Sequence, residues 1–570
     1  MRRTFLKNLP LRQTATASVV LVLTALVLYA WHETLGARTT QDTTPITPEV
    51  TAALESIKPE AVEAHIRFLA DDLLEGRAPG QRGFEIASRY VETQFRTLGL
   101  QPAGIDGKFA QPVPLQESLV IDNRSSLTLT HDGVEKELAY AEDFLLSPNP
   151  THTEVKVSAP LAFVGYGVVA PELGHNDYEG IDVTNKIVAY LNGAPDTFPS
   201  NQRAYYSSRS VKYEEAVAHG AIAVISFTSP DDPRFRWQVS VNRSKRGSFS
   251  WLDENKEPNN STGLQAIASL NHSGVEAIFK NSPVRPEKVF AAATAGELQS
   301  FDLLSEATIR TTSRHRTIES ANLVAYLEGS DPQLKNEYVV YVAHIDHFGI
   351  GAPVDGDEIY NGAHDNASGV SIMLEVARAY ANLPQKPKRS VLFLAVTAEE
   401  WGLLGSDYFA HHPTVPRNQL VANFSMDMPF LFHPLLDIVP YGAEHSSLSE
   451  SVGIAANHLG IKIGPDPIPQ QVLFIRSDHF SFVRQGIPAL FIKSGFETGD
   501  PNQDGSKINA EWRRKMYHTP HDEPDQAFDF TAGAGHARVN FLTGYLVANA
   551  SDRPSWNEND FFGGKFSTNP

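Results

Sequence analysis

No cysteine occurs anywhere in the 570-residue chain. Disulfide staples, thiolate nucleophiles, cysteine-ligated zinc and a lipid-modified N-terminal cysteine are therefore all excluded. Basic residues are also in deficit, with 48 Lys and Arg against 67 Asp and Glu, a formal net charge of −19. A nucleic-acid binder needs a basic face for phosphates, so that partner class is set aside. Long apolar runs are missing except at the start. There the basic "MRRTFLKNLPLR" precedes an uncharged stretch, Gln13 to Trp31, rich in Val, Leu and Ala. That order is the pattern of an export signal. "RRTFLK" resembles a twin-arginine signal, which implies a bacterial protein that is periplasmic, extracellular or membrane-anchored facing outside. Residues 1–37 then form either a cleaved signal or a retained membrane anchor, and the sequence leaves the choice open.

Beyond residue 37 the texture of the chain changes three times. Residues 38–50 read as a Thr- and Pro-containing linker. "PEAVEAHIRFLADDLLEGR" and "RGFEIASRYVETQFRTLGL" carry apolar residues at three- and four-residue spacing and predict helices within 51–124. Over 125–305, short β-type runs such as "LTLTHD" and "KIVAYLNG" alternate with Gly, Pro, Asn and Asp turns, with one helix expected at "SVKYEEAVAHGA". From 306 to 550, strands ("YVVYVAH", "VLFLAV", "LVANFSM", "PALFIK") alternate with helices ("GVSIMLEVARAYANL", "SSLSESVGIAANHLG"). That alternation predicts an α/β fold with a mostly parallel sheet covered by helices on both faces. Residues 551–570 read as a polar tail.

In an open parallel sheet, functional groups collect beyond the carboxyl ends of the strands. "YVVYVA" runs into "HIDHFG", with His344, Asp346 and His347. "NGAHDNASG" then offers Asp365 ahead of a helix. "VLFLAV" is followed by adjacent carboxylates, Glu399 and Glu400, and "VANFSMDMP" ends in Asp427. "MYHTPHDEPD" adds His518 and His521. Each residue alone has a plain reading: a hydrogen-bonded histidine, a helix start for the Glu pair, a cap for Asp365. Together, imidazole and carboxylate without thiolate make the ligand set of a hydrolytic zinc site, in which neighbouring metals offset the carboxylate charge.

These motifs, in this order, resemble the co-catalytic two-zinc aminopeptidase family, whose relatives include glutamate carboxypeptidase, glutaminyl cyclase and the transferrin receptor. The resemblance runs from Ala64 onward. "LADDLLEGRAPGQRG" is similar to the family's opening helix and loop, and "FVGYGVVAPELGHNDYEGIDVTNKIVAYLNG" to its inserted protease-associated domain. The implied fold is a three-layer αβα zinc-peptidase domain with a mixed, mostly parallel sheet and a β-rich insertion over 125–305. The implied cofactors are two Zn2+ per chain. By resemblance, His344 and Asp427 hold one ion, Glu400 and His518 the other, and Asp365 bridges them. Glu399 is the general base, Tyr517 supports the oxyanion, and Asp346 orients His344. Ser477, Asp478 and His479 of "RSDHFSF" are assigned to the site wall.

Three features depart from the family pattern. His364 precedes Asp365 where an acidic residue is common, Met428 and Pro429 follow Asp427, and His347 and His521 compete as ligands. The polar stretch over 493–515 is expected to loop over the cleft. The resemblance implies hydrolysis of N-terminal residues from peptides with a free N-terminus. Carboxypeptidase or dipeptidase action, glutaminyl cyclisation, and a receptor-like binding protein without catalysis are the alternatives. The last would lack ligands or the base, and none is missing here.

Overall fold

The computed structural model describes residues 44–232, 235–260 and 262–567. The expected export signal lies outside the described residues, within which no helix is long and apolar enough to cross a membrane. The first described elements are helical for the reasons visible in sequence. Pro59 opens a helix to Leu69 whose buried side, Val62, Ile66 and Leu69, repeats at three- to four-residue spacing. Arg82–Thr97 buries Phe84, Ala87, Val91 and Phe95 in the same way. Pro at the first helical position sacrifices no hydrogen bond, since that amide has no intrahelical partner.

Four β-branched and aromatic runs pair in parallel: Ser390–Val396 beside Tyr338–His344, then Leu420–Ser425, then Ala489–Ser494. Antiparallel strands close the group on each side, Leu323–Leu327 against Val391–Ala395 and Asp437–Tyr441 against Ala489–Ser494. Successive side chains on a strand point to opposite faces, so both faces must be covered. Val339, Tyr341 and Ala343 face one layer with the helices Pro59–Leu69, Ser368–Ala381 and Phe530–Asn549. Val340, Val342, Leu392 and Leu394 face the other, against Phe409 and Phe482. The expected three-layer α/β architecture is what forms.

Residues 126–312 build a second sheet joined to the first by one strand. Phe301–Leu327 pairs with Ser126–His131 and Glu154–Phe163 in its first half, and with Ala110–Val120 and Ser390–Val396 in its second. The texture break expected at 305 therefore falls inside a strand. The helix expected at "SVKYEEAVAHGA" forms as Arg209–Ala218, and the insertion holds further helix that its turn-rich sequence did not suggest, including Ser200–Tyr206 and His272–Phe279. Its strands Glu154–Phe163, Ile187–Leu191, Ala223–Phe227 and Ala266–Leu270 pair in parallel, and parallel neighbours need crossover connections. One segment returns to the first sheet: Ser248–Trp251 pairs with Leu115–Ser118. There Phe249 stacks on Trp401 at 4.8 Å, and Trp251 Nε1 donates to Asp407 Oδ2 at 2.8 Å.

Two expectations give way. The stretch 493–515 is not one loop: strand continues to Ser494, and Gly505–Lys515 is a helix whose first amides donate to the Asp504 carboxylate. The C-terminal segment is not simply a polar tail either. Phe561–Phe566 forms a short helix that buries Phe562 against Phe474 and Phe480. Polar neighbours in "WNENDFFGGKF" masked an aromatic anchor.

Candidate metal centre

Strand ends and the loops after them bring the candidate residues together. His344 closes its strand fully buried; its Nδ1 hydrogen-bonds the Asp346 carbonyl at 3.1 Å, which aims Nε2 at a group of carboxylates. Around Nε2 lie Asp365 Oδ1 at 3.5 Å, Asp427 Oδ1 at 3.7 Å and Glu399 Oε2 at 3.9 Å. A second group forms beside it. His518 Nε2 is 3.2 Å from both Asp365 Oδ2 and Glu400 Oε2, and His347 Nδ1 is 2.6 Å from Glu400 Oε1. Asp365 thus presents one carboxylate oxygen to each group. The ligand-type atoms of His344, Glu399 and Asp427 fall within 4.8 Å of one another, as do those of His347, Asp365 and Glu400.

Electrostatics separate the two adjacent glutamates. Burial pushes the Glu399 carboxyl well up, and Asp427, Glu400 and Asp478 add to the push against the pull of His344. Burial would raise Glu400 as well, but His518 and His347 hold it well below the usual carboxylate range. His344, Lys493 and Ser477 likewise outweigh burial at Asp427 and keep it low. Burial opposes a charge on His344, yet Glu399, Asp427 and Asp346 drive its imidazole well up.

The supporting contacts differ in part from those the resemblance implied. The Asp346 carboxylate accepts from the Glu399 and Glu400 amides at 3.1 and 3.3 Å, so it fixes the turn carrying the glutamate pair. His344 Nδ1 hydrogen-bonds the Asp346 main chain, with the Asp346 carboxylate 3.9 Å from the same nitrogen. Ser477 Oγ lies 3.1 Å from Ser425 Oγ beside Asp427, and burial raises the Asp478 carboxyl to about 6 behind the Glu399 group. His479 turns away: its Nε2 meets the Phe474 carbonyl at 2.5 Å, its ring stacks on Phe491, and burial pushes it down to about 3. Tyr517 stacks on His518 with ring centroids 3.6 Å apart, and burial pushes its phenol above its ordinary range. Of the competing histidines, His347 joins the cluster. His521 instead faces Asp355 at 3.1 Å, and His364 sits in an aromatic box with Trp512, Phe432 and Phe430, kept neutral by burial.

Two buried residues that sequence reasoning did not single out hold the loops in place. Arg77 is 1% exposed and donates to four carbonyls, those of Ile345, Leu69, Asn361 and Gly362. It thereby ties the His344 strand end to the Asp365 loop. Burial lowers its guanidinium to about 10, so it stays charged at neutral pH behind the acids. Asp522 accepts from the His364 and Asp365 amides, both at 2.9 Å. Both lie inside quoted motifs, "LEGRAPG" and "HTPHDEPD", where neighbouring residues drew the attention.

Buried polar atoms ordinarily find hydrogen bonds. Here His344 Nε2, both His347 nitrogens, Glu400 Oε1, Asp427 Oδ1 and His518 Nε2 make no well-aligned hydrogen bond, although they approach one another as closely as 2.6 Å. A nitrogen and oxygen donor set that converges without hydrogen-bonding is what a divalent cation such as zinc would complete.

Residues 322–540 match peptidase family M28. Aminopeptidase YwaD of Bacillus subtilis (strain 168) is 30% identical over 192 residues, 32% of this chain and 37% of that protein. A probable leucine aminopeptidase 2 of Aspergillus oryzae is 28% identical over 269 residues, 45% of this chain and 49% of the other. The match thus spans between a third and a half of these relatives' lengths. Among solved structures, an aminopeptidase from Aneurinibacillus sp. strain AM-1 superposes with a TM-score of 0.52 at 21% identity, covering 88% of this chain and 97% of that one, a likeness of fold. Over Asn322 to Asn540, the chain is therefore similar to peptidase family M28.

Proposed function

We propose that this protein is a zinc-dependent aminopeptidase that hydrolyses N-terminal residues from peptides, with two zinc ions per chain. The observation carrying the reading is the set of buried, unpartnered ligand atoms arranged in two groups around Asp365. His344 and Asp427 would hold one ion, Glu400 and His518 the other, with Asp365 between them and His347 close enough to Glu400 to take part. The M28 match and the relatives' aminopeptidase names support this assignment. The basic-then-apolar opening of the sequence supports an exported enzyme.

Zinc bound here would supply Lewis-acid polarisation of the scissile carbonyl and acidify a water at neutral pH. The chain's own residues do the rest. Glu399 takes the proton from the attacking water and returns it to the leaving amine, as general base and then general acid. Its environment favours proton retention whereas that of Glu400 favours the carboxylate, which matches a base beside a ligand. Tyr517, kept protonated by burial, can donate to the developing oxyanion. Asp346, Asp522 and Arg77 hold these groups in register.

Comparing two glutamate variants tests the assignment. Glu399→Gln should keep zinc and lose about 10²-fold or more in kcat, whereas Glu400→Ala should lose zinc. Near-normal peptide hydrolysis by Glu399→Gln would overturn the mechanism.

A further inference from the structure

In a chain with a formal charge of −19, arginines gather at the edge of the candidate centre. Arg243 and Arg246 come from the inserted unit, Arg513 from the helix leading to His518. Arg243 Nη2 reaches the Glu400 carbonyl at 3.4 Å, not its carboxylate. The Arg246 guanidinium lies over the rings of Phe348 and Tyr360 at 4.2 and 4.4 Å, and Phe348 meets the His518 ring edge-on at 4.7 Å. The Arg513 guanidinium lies 5.3 Å from the centre of the Tyr517 ring, and its buried Nε has no hydrogen-bond partner. Among the described residues none of these three arginines forms an ion pair.

The acids of the centre do not need them. Asp346 and Asp522 are engaged by backbone amides, Asp365, Glu400 and Asp427 lie beside imidazoles, and the buried cations Arg77 and Lys493 stand behind the cluster. The three arginines instead lie beside Glu400, Tyr517 and, through Phe348, His518. A guanidinium packed over an aromatic ring rather than paired with an acid retains N–H groups for an anion, and a carboxylate matches that fork.

We propose that the cleft recognises a substrate carboxylate through Arg243, Arg246 and Arg513, so that short peptides bearing an anionic group next to the cleaved bond are preferred. This deepens the peptidase reading and rests on it. The carboxylate has two sources: the C-terminus of a dipeptide, or an acidic side chain after the scissile bond. By this reading the inserted unit supplies part of the substrate site.

The test compares kcat/KM of the full chain with zinc on Leu-Ala against Leu-Ala-amide, and on Leu-Asp-amide against Leu-Asn-amide. A preference of about 10- to 100-fold for the anionic member is expected in at least one pair, the range of a charge-assisted hydrogen bond. The pair that shows it identifies the source. Arg246→Gln and Arg513→Gln should each bring that ratio down about tenfold. In the unaltered enzyme the ratio should fall as salt is raised, a readout that does not depend on any variant folding. Efficient cleavage with ratios near one in both pairs overturns this proposal and leaves the peptidase reading standing. A preference that survives both substitutions also overturns it, and cleavage of none of the four peptides sinks the peptidase reading and this proposal together.

Discussion

Replacing Arg77 by lysine keeps a positive charge behind the cluster and removes the planar fork. The arginine spreads its donors over the carbonyls of Ile345, Leu69, Asn361 and Gly362, at 2.7, 2.5, 2.5 and 3.0 Å. An ammonium donates from a single point and can serve about two of these, which leaves about two buried carbonyls without a donor. At about 1.5–3 kcal/mol for each lost bond to a charged donor, Arg77→Lys should cost about 3–6 kcal/mol. That is a large part of ordinary domain stability, about 5–15 kcal/mol. Urea unfolding followed by tryptophan fluorescence would read the loss as a lower midpoint. Because Ile345 adjoins His344 and Gly362 precedes Asp365, the variant should also release zinc to a chelator faster. An unchanged midpoint with unchanged zinc release would refute the claim that Arg77 pins both loops.

Asp522→Asn removes one of two carboxylate oxygens facing the His364 and Asp365 amides and sets an NH2 group against an N–H; zinc affinity should fall about 10- to 100-fold in chelator competition. Lys212, buried in the inserted unit and donating to the carbonyls of Tyr166 and Gly193, is pushed by burial from its ordinary 10.5 down to about 7. Between those values the unfolded chain binds the proton and the folded chain does not. Stability should therefore rise by about 2–3 kcal/mol from pH 7 to 9, and this part of the slope should vanish in Lys212→Met, measured by urea unfolding at each pH. Trp251→Phe, which removes the 2.8 Å bond to Asp407, should destabilise the chain by about 1–3 kcal/mol, read from the same unfolding curves.

The sequence was most informative where chemistry and periodicity coincided. The strand runs ending in His344, Glu399–Glu400 and Asp427 were legible because a buried parallel strand reads as an uninterrupted apolar run, and polar groups at its exit stand out. The parallel core of the insertion was harder to see. Its strands are short, and the crossover helices between them carry Gly, Asn and Ser that read as turns. Arg77, Asp522 and the arginines beside the cleft were missed for another reason. An arginine's role depends on which distant carbonyls or rings lie within reach, and Arg77 and Gly362 are far apart along the chain. The same holds for Asp346, which the resemblance paired with the His344 imidazole, whereas its carboxylate meets the amides of the Glu399 turn. The aromatic anchor Phe562 was hidden by its polar neighbours, since a six-residue helix has too little periodicity to reveal a face.

The central claim is that separate stretches of this chain converge to bind two divalent ions that activate water for peptide cleavage. Elemental analysis of the purified chain, before and after chelation and with stepwise return of zinc, tests it most directly when peptide turnover is followed on the same samples. Two zinc ions per chain, with turnover lost on stripping and regained as the second equivalent binds, is the predicted result. A folded chain that holds no zinc, or that cleaves peptides equally well after stripping, would contradict it.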